Sequence, residues 1–126
     1  MNLANFNGFC GSLPHAVHVV QWGGAHVWKI GAKVFAVGGW QTADGQGSNF
    51  LAITFKCSPM SFEMLKQQAG LRPAPYLASR GMPWIQRISA GSMDDVALAD
   101  YLRESYRLAS LNLTRKIQRE LGLNGC

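Results

Sequence analysis

The sequence predicts an α+β domain: an antiparallel sheet of about five strands with helices at both ends of the chain. Three observations carry this reading. Four short β-rich runs, 17–22, 26–30, 33–37 and 50–56, follow one another with glycines between them, which is the spacing of an antiparallel meander. Apolar residues recur at helical spacing before this series, and again after a fifth run that begins at Trp84. A length of 126 residues with 48% hydrophobic and 15% charged content suits one folded domain over 1–126, not two domains or a disordered chain.

The first helix is read over 2–13, where Leu3, Phe6, Phe9, Cys10 and Leu13 make one apolar stripe and Pro14 closes it. Gly8 and Gly11 each cost about 1 kcal/mol relative to alanine, so this helix depends on docking against the sheet. Within the strands, Val27 and Lys29 fall on one face and Trp28 and Ile30 on the other, while Val34 and Ala36 alternate with Lys33, Phe35 and Val37. The stretch GGWQTADGQGSN at 38–49 has the glycine-rich, polar composition of a hairpin tip.

The most informative stretch runs from Phe55 to Gln86. Ser58 followed by Pro59 starts a helix, because the hydroxyl accepts an orphan amide proton and proline at the first position has no amide to leave unpaired. Glu63 suits the positive end of the dipole. Met60, Met64, Leu65 and Ala69 are expected to turn inward with Phe62 close by, Lys66, Gln67 and Gln68 outward, and Gly70 to supply a left-handed stop, giving a helix over 59–69. Pro73 and Pro75 then make a stiff link that is expected to cross the surface before the next strand, from Trp84 to about Ser89. Beyond Gly91, Ser92 and Asp95 resemble a capping box, and Val96, Ala99, Leu102, Tyr106 and Ala109 trace the buried stripe of a long helix. Asn112 breaks it, and a last basic helix runs to Leu121 with Gly122 as its cap. The first and last helices are placed on one face of the sheet, and the 59–69 helix toward an end or edge.

The order of several motifs resembles one known family. These are KVFA at 33–36, a strand ending in FK at 55–56, the Ser58–Pro59 helix start, RPAPYLA at 72–78, Trp84, ESYRLA at 104–109 and LTRK at 113–116. Together they resemble the MmcQ/YjbR family over residues 5–123. The resemblance implies a frataxin-like (CyaY-like) fold with a double-wing arrangement and a DNA-binding role, and it implies no established chemistry. Iron handling does not transfer from that fold, because 1–13 contains no acidic residue.

A net charge of +5 and a pI near 9.5 favour an acidic partner. The candidate nucleic-acid-binding residues are Lys29, Lys33, Arg72, Arg80, Arg87, Arg115 and Lys116, with Arg119 beside them; they would hold phosphates of double-stranded DNA if folding gathers them. Set against this, they are ordinary solvating charges, and the chain is a non-enzymatic protein- or small-ligand-interaction module. A groove beside Trp84 and Tyr76 would favour that alternative. Trp40 either stacks on a base or folds back on the sheet.

No catalytic constellation, cofactor or metal site is expected. His15, His18 and His26 have no cysteine or carboxylate nearby to complete a ligand set. Ser105 and Tyr106 have no base at a fitting spacing, and Cys57, just before a helix start, is the least implausible reactive group. Cys10, Cys57 and Cys126 are unpaired in spacing and fit reduced thiols. With neither a leader-like start nor a run of some eighteen apolar residues, a monomeric cytoplasmic protein without a membrane role is expected.

Overall fold

The computed structural model describes residues 2–21, 23–39, 51–74, 82–88 and 93–122. The elements in chain order are α1 (Leu3–Gly11), β1 (Ala16–Gln21), β2 (Ala25–Ile30), β3 (Lys33–Gly38), β4 (Ile53–Lys56), α2 (Pro59–Leu65), β5 (Leu71–Pro73), β6 (Trp84–Arg87), α3 (Asp95–Leu111) and α4 (Arg115–Glu120). The strands form one antiparallel sheet in the order β1-β2-β3-β4-β6-β5. The meander predicted from the first four runs is therefore present, and the sheet has six strands, one more than expected. The expected tip at 40–49, Trp40, Tyr76, Arg80, Ser92 and Cys126 lie outside the described residues.

The additional strand is β5. Pro73 has no amide to donate, and that is tolerated because β5 is an edge strand of three residues. Part of the proline link is thus a strand paired with β6, with Arg72 opposite Gln86.

Helix α1 is capped by the Asn2 side chain, which accepts the Asn5 N–H at 2.8 Å. It seats closely on the sheet through Phe6, and a Cβ at Gly38 would lie 2.7 Å from the Phe6 ring. Only glycine at that strand position lets the aromatic ring approach the backbone. Trp28 completes the contact, its indole N–H donating to Asn7 Oδ1 at 2.9 Å.

Helix α2 begins as the Ser58–Pro59 pair dictates, with Ser58 Oγ accepting the Ser61 N–H. It ends at Leu65, four residues short of the expected Ala69, and Gly70 takes positive φ after intervening turns. Its packed side is Leu65 with Phe62, while Met60 and Met64 are 77% and 56% exposed. The two methionines look outward because α2 is too short to present a continuous stripe, and among the described elements it packs mainly on the β5 and β6 edge.

Helix α3 lies across the sheet, against β3 and β4 above all. Asp94 caps it by accepting the Ala97 N–H, one position before the Asp95 of the expected box. Its buried residues are Leu98, Leu102, Ser105 and Ala109, whereas Val96 is 74% exposed. The stripe is therefore rotated from the expected one, because a serine occupies a core position that an apolar pattern skips. Ser105 Oγ accepts the Lys56 N–H at 2.8 Å and donates to Phe35 O at 2.6 Å. One fully buried hydroxyl thus joins helix α3 to β4 and β3.

Phe35 is where the ladder between β2 and β3 slips: Trp28 pairs with Ala36 and Lys29 with Val34, which leaves Phe35 with no opposite residue. Such a bulge frees backbone groups that need partners elsewhere, and Ser105 supplies one. Phe35 and Phe55 meet α3 through Tyr106 and Tyr101, at ring-centroid distances of 5.4 Å in both cases.

Ser105→Ala is expected to lower stability by about 1–3 kcal/mol, since it strands a buried amide and a buried carbonyl together. Urea denaturation checks this, and an unchanged midpoint would remove Ser105 from its structural role.

Candidate functional site

The end of the sheet where β3 starts, β4 stops and β6 begins gathers several cations. Lys33 opens β3 at the surface, Lys56 closes β4 half-buried, and Lys29 lies in β2 opposite Val34. Helix α3 finishes at this same end with Asn112 as its C-cap. The chain then turns into α4, whose Thr114 cap accepts the Ile117 N–H. Ile117 and Leu121 pack on the core, so Arg115, Lys116 and Arg119 are turned to the outside.

The β2–β3 turn fixes α4 here. Gly31 has φ +60, and a Cβ on it would come within 2.7 Å of the Leu113 side chain. A larger residue would be strained and would push the α3–α4 junction off the sheet.

Acidic groups are mostly elsewhere. Asp94 and Asp95 begin α3, the full length of a 17-residue helix away, or about 25 Å. Asp100 and Glu104 are paired with Arg103 and Arg107 on the exposed side of that helix. The Arg107 guanidinium, hydrogen-bonded to Glu104, holds that carboxyl below the ordinary carboxylate value. On α4 itself the one acid is Glu120.

Two of the sequence candidates do not belong to this surface. Arg87 is 1% exposed and donates from Nη2 to Met93 O at 2.7 Å and to Asp95 Oδ1 at 3.3 Å, tying β6 to the start of α3. Arg72 directs Nε and Nη2 at Gln86 Oε1, at 2.8 and 2.6 Å, and Gln86 passes the network on to Thr54 Oγ1. Both arginines serve the sheet. Periodicity could not reveal this, because a buried arginine looks the same in sequence as a solvated one. Arg80 lies outside the described residues.

Beside Lys33 and Lys56 is a pocket of about 310 Å³ that includes Trp84, where a groove would favour the interaction-module alternative. Trp84, Met82, Val34 and Ala109 give it apolar walls, and Asn112 adds an amide. Trp84 is 4% exposed, and its indole Nε1 has no hydrogen-bond partner among the described residues.

His18 Nε2 and His26 Nδ1 lie 2.9 Å apart, and the His18 ring stacks on Trp28 at 4.7 Å between centroids. Among the described residues no group of three or more His, Cys, Asp or Glu converges as a metal site would require. Cys57 is buried with Sγ 3.5 Å from Pro83 O, and burial pushes its thiol up to about 11. Cys10 is raised by burial to about 12. At neutral pH both are protonated and poorly nucleophilic.

The family described as YjbR matches residues 11–108, from the end of α1 through most of α3. The chain belongs to the YjbR family. A Deinococcus radiodurans protein of the DUF419 domain family is similar in structure, with a TM-score of 0.78 and 22% identity over 97% of this chain and 88% of the other. A protein from Pseudomonas syringae is also similar, with a TM-score of 0.68 and 18% identity over 86% of this chain and 99% of its own. At these identities the likeness speaks for the fold that YjbR proteins share. None of the curated proteins matches the chain. Among the described residues no helix is long and apolar enough to cross a membrane.

Two outcomes test the non-surface assignments. Arg87→Met is expected to destabilise the protein by about 1–3 kcal/mol, because Met93 O loses a buried donor; an unchanged urea midpoint would contradict this. The Cys10 thiol titrates at 9.0 when unfolded and near 12 when folded, so stability is intact below pH 9.0 and falls as pH rises from there toward 12. Cys10→Ala should flatten that alkaline decline whatever it does to stability at neutral pH; parallel declines in the two proteins would refute the assignment.

Proposed function

We propose that this YjbR-family protein binds double-stranded DNA mainly through phosphate contacts, using the cationic end of the molecule. The observation that carries the reading is the segregation of charge. Lys33, Lys56, Arg115, Lys116 and Arg119 collect where α3 ends, while Asp94 and Asp95 sit at the other end of that helix. Phosphates need well-placed cations and not a fixed arrangement of base-reading groups. Arg115, Lys116 and Arg119 project from one helical face, and Ile117 holds that helix down. The paired side chains of α3 contribute less, because Arg103 and Arg107 are already engaged by Asp100 and Glu104.

Fluorescence-anisotropy titration of a labelled random duplex at several salt concentrations tests this. Affinity should fall steeply with salt, and each phosphate contact removed should reduce the log–log slope by about 0.9. The triple variant Arg115→Gln, Lys116→Gln and Arg119→Gln is therefore expected to lose about two to three from the slope and more than about tenfold in low-salt affinity. Arg103→Gln should change neither. No binding at low salt, or equal loss in the two variants, would overturn the proposal.

A further inference from the structure

The pocket beside Trp84 has a chemistry that phosphate-backbone binding does not use. Its polar lining is dominated by hydrogen-bond donors: the ammonium groups of Lys33 and Lys56 donate and cannot accept. Among the described residues no carboxylate, imidazole or thiol lines it, so that donor set does not suit a metal ion. Val34, Met82, Ala109 and the indole provide apolar walls beside these donors. At about 310 Å³ the pocket has the size of a small-molecule site.

We propose that this pocket binds a small organic anion, with its carboxylate or phosphate group held by Lys33 and Lys56 and its apolar body against Trp84, Val34, Met82 and Ala109. The anion offsets the charge of the two lysines. A neutral ligand would leave that charge standing, and a cation would add to it. The site shares Lys33 and Lys56 with the proposed DNA surface but not the α4 cations, and a negative result with duplex leaves it intact.

The test follows the indole N–H resonances of the ¹⁵N-labelled full chain, with Trp84 assigned from triple-resonance spectra of the wild type. Benzoate and phenyl phosphate represent the two acid groups, benzyl alcohol the neutral counterpart, and a short duplex the competing source of phosphate. The Trp84 signal is expected to move saturably with benzoate, phenyl phosphate or both, and to stay in place with benzyl alcohol. The double variant Lys33→Gln, Lys56→Gln should weaken that binding by about tenfold or more, with its remaining indole signals dispersed as in the wild type. Three results would overturn the proposal: no movement at millimolar anion, equal movement with benzyl alcohol, or undiminished affinity in the double variant. Movement with duplex alone would equally reject a small-molecule ligand.

Discussion

One buried hydroxyl holds the two layers of this molecule in register. Ser105 bonds to the backbones of β3 and β4 at once, through Phe35 O and the Lys56 N–H. A hydrophobic contact could slide by a fraction of a helical turn at small cost, whereas a buried donor and acceptor that must both be met allow one position. With Ser105 fixed, Tyr101 meets Phe55 and Tyr106 meets Phe35. The remaining turns of α3 then carry its C-terminus to the end of the sheet where Lys33 and Lys56 emerge.

That placement gives a nearly even charge distribution in sequence its polarity in space. Basic residues are scattered from Lys29 to Arg119 along the chain, yet β2, β3, β4 and α4 bring several of them to one end. Gly31 is part of the same construction, because its missing side chain leaves room for Leu113 and so for the start of α4. Lys33 and Lys56 stand on strand ends, which are rigid supports, and the α4 cations stand on a short helix pinned by Ile117 and Leu121. The pocket at Trp84 and the outer face of α4 are thus neighbouring features with different demands: lysines beside apolar walls suit an anion with an apolar body, and exposed cations need only a negative surface.

Much of the architecture was legible in the residues. The glycine-divided β-runs revealed the meander, Ser58–Pro59 marked the α2 start, and Asn112 marked the break before α4. The misses have physical causes. Strand β5 was hidden because proline reads as a link, and an edge position removes the penalty that makes proline rare in sheets. The buried face of α3 was misplaced because Ser105 counts as polar in any periodicity, although its two bonds make burial favourable. Arg72 and Arg87 were grouped with the surface cations because sequence gives the charge of an arginine and not its partners. The cationic end itself could be read only as a set of candidates that included Lys33 and Arg115 and missed Lys56, since these residues meet only through folding.

The central claim is that α3, locked by Ser105, builds one cationic end that is the working surface of the protein. Mapping backbone amide shifts of the labelled protein with a short DNA duplex at low salt tests it most directly. The expected perturbations cluster at Lys33, Lys56 and residues 115–119, and leave the Asp94–Asp95 end of α3 undisturbed. Shifts centred on the Asp94 end, or spread evenly over the molecule, would contradict the account.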